Sequence, residues 1–282
     1  HWGGVTEDNA FGTHEFMDFT ELVGADAYVS GNVGSAAPVE LADWVQYMTS
    51  PVGSTLANER AANGRKQPWR LPMIGLGNEL WGCGGNMRPE YYADLYRKFA
   101  TFMHSEWKND HIFRIASGAS DADYNWTEVL MKNIPRHLLD GIALHHYSTL
   151  DWNKKGDAVD FTEKQYFGTM KSALLIDTLI RKHTAIMDKY DPGKKIALVV
   201  DEWGGWYNVQ EGTNPGFLFQ QNTMRDAMIA GTTLNIFNNH SDRVRMANLA
   251  QAINVLQSVI LTSGDTMVLT STYYVMEMYN VH

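Results

Sequence analysis

The stretch "MIGLGNELWGCGG" (residues 73–85) joins a short apolar run to a carboxylate and a glycine-rich loop. Such a run is typical of a strand buried on both faces, as in a parallel sheet. The pattern returns at "IALVVDEW" (196–203). In each stretch a Glu, Glu79 or Glu202, follows a polar residue at the predicted strand end and precedes a loop rich in Trp and Gly. The two carboxylates are therefore expected at the same edge of one sheet.

Similar strand-like runs alternate with amphipathic helical patterns along the chain. The predicted strands span 26–32, 73–79, 112–118, 141–147, 196–203 and 232–238. Helical spacing is seen at Leu41, Trp44, Val45 and Met48 behind Pro38, and again at Leu249, Ile253, Leu256 and Ile260. This alternation predicts βαβ units, and hence a doubly wound sheet or a (β/α)₈ barrel.

The loops after the strands favour the barrel. "GNVGSAAP" (31–38) lacks the glycine fingerprint of a nucleotide-binding sheet, and no phosphate-binding lysine motif follows. Polar residues instead stand at the carboxyl ends of several strands, the face of a barrel that carries the chemistry. We predict one catalytic barrel domain over 1–282. Only six strands are recognisable, so this domain is expected to lack the first two strands of a full barrel.

Composition excludes several classes of function. The formal net charge of the 282 residues is −9, and Lys and Arg are scattered, so neither a nucleic-acid footprint nor a polybasic membrane patch is expected. No apolar run approaches the roughly 18 residues of a membrane-spanning helix.

The location of the protein is indicated only indirectly. Cys83 is the single cysteine, which suits a reducing compartment, so we expect a cytoplasmic protein. Secretion is the alternative, and the sequons at Asn125 and Asn239 would matter only there. The chain begins with His1 and without a leader, so we expect it to be part of a longer protein.

A pair of carboxylates facing each other across a barrel mouth is the minimum machinery for cleaving a glycosidic bond. One donates a proton to the leaving oxygen, and the other attacks the anomeric carbon or activates water. A carboxyl desolvated beside Trp is expected to have a raised pKa and to hold its proton. The alternative is that each Glu is a surface residue in an ion pair.

"GNE" (77–79) and "DEW" (201–203) resemble the acid/base and nucleophile motifs of the family 51 α-L-arabinofuranosidases, retaining glycosidases built on (β/α)₈ barrels. Further segments resemble that family in the same order: "EDNAFGTHEFM" (7–17), "GNELWGCGGNMRPEYYA" (77–93), "LHHY" (144–147), "DEWGGWY" (201–207), "DRVRMANLAQAINVLQ" (242–257) and "YNVH" (279–282). The resemblance covers essentially the whole chain.

The resemblance implies a role for each matching residue. Glu79 would be the general acid/base and Glu202 the nucleophile of a double displacement that releases terminal α-L-arabinofuranosyl residues from arabinoxylan, arabinan or arabino-oligosaccharides. The implied substrate-binding residues are Asn78 at the sugar 2-hydroxyl, Tyr147 beside the nucleophile, Trp206 in the sugar pocket, and Gln251 after the last strand. Of the neighbouring histidines, His145 is expected to line the substrate site and His146 to be packed. No cofactor is implied, and a homo-oligomer is.

Two features of the family are not found in the sequence. Its first two barrel strands carry further substrate-binding residues, and a β-sandwich domain is built largely from sequence after the barrel. Two alternative functions therefore stay open. One is another retaining glycosidase on the same scaffold, such as an endo-glucanase or xylanase. The other is an inactive carbohydrate-binding barrel fragment.

Other chemistry-bearing residues have simpler interpretations. His145 and His146 could suggest a metal, but adjacent strand residues point to opposite faces, so we predict no metal site. Cys83 is interpreted as a small residue in a tight loop rather than a nucleophile. Trp81 and Trp203 could serve either the site or the core, and Trp2 could lie at the rim.

Overall fold

The computed structural model of the chain describes residues 4–6, 8–105 and 110–281. Its centre is a parallel sheet whose six strands follow one another in chain order. The strands are β1 (Tyr28–Gly31), β2 (Met73–Leu76), β3 (Phe113–Ser120), β4 (Gly141–Ser148), β5 (Ala197–Gly205) and β6 (Val244–Leu249). The carboxyl ends of all six strands therefore lie at one edge. Trp2, the possible rim residue, lies outside the described residues.

Helices return the chain between the strands. They are α1 (Thr13–Val23), α2 (Pro38–Thr49), α3 (Thr55–Ala62), α4 (Pro89–Ala100), α5 (Tyr124–Asn133), α6 (Glu163–Tyr190), α7 (Met224–Asn239) and α8 (Ser271–Val281). Short 3₁₀ turns span Arg136–Leu138 and Pro215–Phe217, and an antiparallel hairpin of β7 (Ile260–Ser263) and β8 (Thr266–Leu269) precedes α8. None of the described helices is both long and apolar enough to cross a lipid bilayer.

The two faces of the sheet are buried differently, and the difference identifies a barrel-like fold. The large core joins helix residues such as Tyr96 and Phe99 to strand residues such as Ile74 and Leu76. A second cluster contains Ile115, with strand residues alone. One face thus carries the helices and the other packs strand against strand, as in a barrel rather than a doubly wound sheet. The prediction of an α/β barrel-like fold is confirmed.

The predicted strand at 232–238 is wrong, because these residues belong to α7. Thr233 and Phe237 are buried four residues apart while Asn235 is exposed, which is helical rather than strand periodicity. Thr223 and Asp226 form a capping box that starts the helix. The sixth strand is β6, which directly follows.

The predicted helix through Leu249, Ile253, Leu256 and Ile260 is also wrong. Leu249 ends β6 and Ile260 begins β7. Between them Asn254 (φ 59°) and Leu256 (φ 51°) adopt left-handed backbone, which a right-handed helix cannot contain. The apolar spacing there serves a folded loop.

The strand ends also differ from the prediction. β2 stops at Leu76, because Gly77 (φ 87°) and Glu79 (φ 47°) turn the backbone out of the strand. Glu202 lies within β5 rather than at its end. Glu79 therefore sits on a turn and Glu202 on a strand.

Register shifts interrupt the ladders near the carboxyl ends of the central strands. One lies between Ala116 and Ala119 of β3, where a Cβ on Gly118 would stand 1.5 Å from the carbonyl oxygen of Ala143 on β4. Glycine at this position lets the two backbones approach closely beside the site.

We predict that Gly118→Ala destabilises the protein by about 1–3 kcal/mol or more, because the new methyl group overlaps a backbone atom that cannot move alone. Chemical denaturation of both proteins measures the change. Gly193→Ala is the matched control, since its added Cβ meets no atom within 4 Å, and it should be neutral or slightly stabilising. Equal effects of the two changes would contradict the predicted close approach.

Candidate active site

Glu79 is held by a loop that is anchored to the neighbouring strand. Leu80 is fully buried, and the indole nitrogen of Trp81 donates a 3.2 Å hydrogen bond to the carbonyl of Gly118 on β3. The backbone nitrogens of Gly82 and Gly84 both donate to the carbonyl of Glu79. The glycine-rich loop thus closes tightly beneath the half-buried carboxylate.

Glu202 is held by a donor on each carboxylate oxygen. The hydroxyl of Tyr147, from β4, donates to Oε2 at 2.6 Å, and Nδ2 of Asn78 donates to Oε1 at 3.1 Å. Hydrogen bonds to an ionised acceptor are stronger than those between neutral groups. These two donors therefore fix the orientation of the Glu202 carboxylate.

His145 lies among three carboxylates. Its Nδ1 is 3.1 Å from Oε1 of Glu79 and 3.5 Å from Oε2 of Glu202, and its Nε2 is 3.2 Å from Oδ1 of Asp201. Burial alone would disfavour the charged ring. Hydrogen bonds to Asp201 and Glu79, and the charges of Asp201 and Glu202, outweigh it and raise the pKa of His145 to about 10. The ring is therefore an imidazolium at neutral pH.

The imidazolium reverses the expected pKa shift of Glu79. Burial raises the pKa of this carboxyl, as predicted beside Trp81. The hydrogen bond and charge of His145, helped by a hydrogen bond from Cys83, outweigh burial, so the pKa of Glu79 is lowered. The prediction of a raised pKa is wrong, because the hydrogen bond and charge of the cation outweigh the effect of burial.

The two carboxylates face each other at short range. An oxygen of Glu79, an oxygen of Glu202 and a ring nitrogen of His145 all lie within 4.8 Å of one another. Carboxylates that act by double displacement are about 5–5.5 Å apart, whereas inverting pairs are about 6.5–9.5 Å apart. The same three groups lie close enough together to serve as ligands of a metal ion.

A cavity of about 380 Å³ opens beside Glu79 and His145. Its lining residues are Glu79, Trp81, Ser120, Asp121, His145, Tyr147, Trp152 and Trp206. Trp206 packs edge-on against Tyr147 (4.8 Å between ring centroids) and Trp152 (5.4 Å). The site therefore combines an acidic floor with an aromatic wall. The first can bind the polar groups of a sugar ring, and the second can contact its apolar groups.

The structure brings most of the predicted site residues together. Contacts or the shared cavity join Glu79, Glu202, Asn78, Tyr147, His145 and Trp206. Gln251 is placed elsewhere. It is exposed on the loop after β6 and lines a different cavity, of about 520 Å³, beside Phe217 and Asn254.

The sequence patterns assign no role to Asp201, the residue before Glu202. Adjacent strand residues normally face opposite sides, so only one of them would be expected in the site. A register shift between Val200 and Trp203 lets both carboxylates reach His145. Asp201 also accepts a 2.9 Å hydrogen bond from Tyr28 of β1.

The undecided residues are now placed. Trp203 is 1% exposed and packs against Phe237, so it belongs to the core, whereas Trp81 lines the cavity. His146 faces away from His145, with Nδ1 2.6 Å from Asp121 and Nε2 2.9 Å from the carbonyl of Ser172. Asp121 and Trp152 line the cavity and carried no sequence signal that would have identified them.

We predict that the stabilising effect of His145 depends on pH. Its pKa of about 10 in the fold lies above the 6.5 of an ordinary His, so its charge stabilises fully below about pH 6.5 and the effect is lost as the pH rises through 10. The free energy of unfolding of the wild type minus that of His145→Gln should therefore fall between pH 6.5 and 10, as measured by urea titration. The exposed His137→Gln is the control and should give no such slope; a flat difference for His145 would refute the shift.

Two family models match the chain. One, described as "Alpha-L-arabinofuranosidase 1 domain", matches residues 1–164, and the other, "Alpha-L-arabinofuranosidase C-terminal domain", matches residues 201–282.

Individual relatives agree with these matches. An intracellular exo-α-L-arabinofuranosidase from Bacteroides ovatus is 53% identical over 100% of this chain and 55% of its own length. The crystal structure of a GH51 arabinofuranosidase from Xanthomonas axonopodis pv. citri superimposes with a TM-score of 0.96 at 57% identity, over 99% of this chain and 56% of that one. An α-L-arabinofuranosidase from Thermotoga maritima, in complex with arabinose, superimposes with a TM-score of 0.80 at 25% identity, over 96% and 52%.

The chain spans about half the length of the curated relatives it matches. Within that span, its sequence motifs, its fold and the matched family models agree. The chain belongs to glycoside hydrolase family 51, the α-L-arabinofuranosidases.

Proposed function

We propose that the protein is a retaining exo-α-L-arabinofuranosidase whose catalytic pair is Glu79 and Glu202. The observation that carries the proposal is the separation of the pair, with one oxygen of each carboxylate within 4.8 Å of the other beneath a cavity with an aromatic wall. Relatives named as exo-acting α-L-arabinofuranosidases support the choice of sugar.

In the first step Glu79 donates a proton to the glycosidic oxygen while Glu202 attacks the anomeric carbon. The bond from that carbon to the leaving oxygen breaks, and an ester to Glu202 forms. Tyr147 and Asn78 hold the attacking carboxylate. Asn78 is also proposed to bind the 2-hydroxyl of the sugar. Hydrogen bonds to that hydroxyl strengthen in the oxocarbenium-like transition state.

In the second step the ionised Glu79 takes a proton from water, whose oxygen attacks the anomeric carbon. The ester bond breaks, Glu202 leaves as a carboxylate, and arabinose is released. The hydrogen bond and charge of His145 lower the pKa of Glu79 and so keep it in the ionised form that accepts this proton. A bound sugar removes water from the cavity, which strengthens the desolvation that favours the protonated, acid form.

The size of the cavity fits an exo-acting enzyme. A volume of about 380 Å³ walled by Trp152 and Trp206 suits one terminal sugar rather than a threaded polymer. We therefore propose arabinoxylan, arabinan and arabino-oligosaccharides as substrates. His145 contributes by holding both catalytic carboxylates, and Gln251 is proposed as a substrate contact made only in the complete site.

The architecture of residues 1–282 is also part of the proposal. Residues 1–282 are proposed to form a single partial barrel, from about the third strand onward, without the family's first two strands and β-sandwich. Support comes from the chain-order sheet with β1 and β6 at its two edges and from the coverage of 55% of the Bacteroides ovatus relative. We further propose an intracellular location, after relatives named intracellular. A homo-oligomer is proposed from the family resemblance alone.

We predict that Glu79→Ala, in the full-length protein, lowers activity by about 10²–10⁴-fold on substrates with sugar leaving groups and far less on activated aryl α-L-arabinofuranosides. Added azide should restore turnover of the aryl substrate and give an arabinofuranosyl azide of retained configuration. Glu202→Ala should lose nearly all activity on both, because no covalent intermediate can form. Rates and product configuration by NMR are the measurements.

The exposed carboxylate Glu90, on α4, supplies the control, and Glu90→Gln should leave the rates unchanged. A panel of aryl glycosides tests the sugar. Cleavage of glucosides or xylosides, but not arabinofuranosides, would point to another retaining glycosidase. No cleavage together with retained sugar binding would point to an inactive barrel.

A further inference from the structure

The two oxygens of the Glu79 carboxylate face donors of very different strength. Oε1 lies 3.1 Å from Nδ1 of His145, which is 4% exposed and carries a positive charge. Oε2 lies 3.3 Å from the thiol sulfur of Cys83, which donates to it from the loop. An imidazolium is a strong, charge-assisted donor, whereas a thiol is a weak donor and a weak acceptor.

The loop itself brings the thiol to the carboxylate. The carbonyl of Glu79 accepts hydrogen bonds from the backbone nitrogens of Gly82 (2.8 Å) and Gly84 (3.0 Å), so the chain folds back and Cys83 faces the carboxylate four residues before it. Cys83 is exposed, so packing does not explain the residue at this position. Its contact with Glu79 is the interaction that distinguishes it.

Other charged groups around Glu79 act on the opposite side. Asp201 and Glu202 of β5 reach the carboxylate through His145, and the hydroxyl of Tyr147 is donated to Glu202. Asp121, which also lines the cavity, is paired with His146. Among the residues the structure describes, the thiol is therefore the group recorded at Oε2 of Glu79.

We propose that Oε2 of Glu79 is the oxygen that carries the catalytic proton, and that Cys83 is a positioning residue that keeps this oxygen able to exchange it. The inference rests on the proposed acid/base role of Glu79. The imidazolium of His145 occupies Oε1 as a permanent acceptor, which leaves Oε2 for the proton. A weak hydrogen-bond donor at Oε2 is displaced easily when this oxygen is protonated. A strong donor would instead keep the oxygen unprotonated, as a hydrogen-bond acceptor.

The S–H and C–S bonds of Cys83 stay intact throughout the catalytic cycle. The proton on Oε2 passes to the leaving oxygen as the glycosidic bond breaks, and the S–H of Cys83 then donates to the ionised Oε2. The second proton transfer, from water to Oε2, displaces that hydrogen bond again. Partial desolvation of the thiol, with the hydrogen bond and charge of Glu79, raises the pKa of Cys83, so the thiol stays protonated during these steps.

Two substitutions at Cys83 test the proposal because they should shift the pKa of the Glu79 carboxyl in opposite directions. The basic limb of kcat/KM against pH reports the pKa of the catalytic acid in the free enzyme. Cys83→Ala removes a donor to the carboxylate, so this limb should move up by roughly half to one pH unit. Cys83→Ser supplies a stronger donor, so the limb should move down, with a larger rate loss on sugar than on activated aryl leaving groups.

The measurements use the full-length protein, with thermal melting to confirm that each variant folds. Arg88→Ala, at the end of the same loop, is the control and should leave the basic limb in place. If one variant fails to fold, the other still tests the proposal, since each has its own predicted direction. The proposal is overturned if the basic limb of the pH profile does not move, or if it moves in the same direction in both variants. A wild type without arabinofuranosidase activity would instead overturn the proposed function.

Discussion

The site depends on one imidazolium shared by three carboxylates. Asp201, Glu79 and Glu202 all point at His145, which is 4% exposed. Three negative charges at this range in a partly desolvated space would repel one another strongly. The positive ring offsets that repulsion, so the three carboxylates can lie close together. Because it contacts both catalytic candidates, any change in its charge alters Glu79 and Glu202 together.

The rest of the fold serves to hold that cluster still. Helices cover one face of the sheet, and the other face packs strand against strand, so the strand ends cannot shift independently. Register shifts near the carboxyl ends let Asp201 and Glu202, adjacent on β5, both reach the same ring. Gly118 permits the close backbone approach beside them. The irregular ladder is thus part of how the site is built.

The two candidate carboxylates are held in different ways, and the difference matches the work proposed for each. Glu202 receives a donor on each oxygen, from Tyr147 and Asn78, which suits a nucleophile that must keep one orientation. Glu79 has one strong donor and one weak one, from His145 and Cys83, which suits a group that must gain and lose a proton.

The sequence by itself determined the strand–helix alternation, the barrel-like class, the family and the identity of the two candidate carboxylates. These features are local: apolar runs, helical spacing and short motifs act within a few residues. It misplaced the sixth strand, because the buried face of α7 and a buried strand are both apolar, and only packing distinguishes them. Tertiary structure alone decided that His145 carries a positive charge in the site and that Asp201 contacts it. It also decided that Gln251 lies at another cavity and that Cys83 faces Glu79. Those facts depend on distances between residues far apart in the chain and on register shifts that no local pattern records.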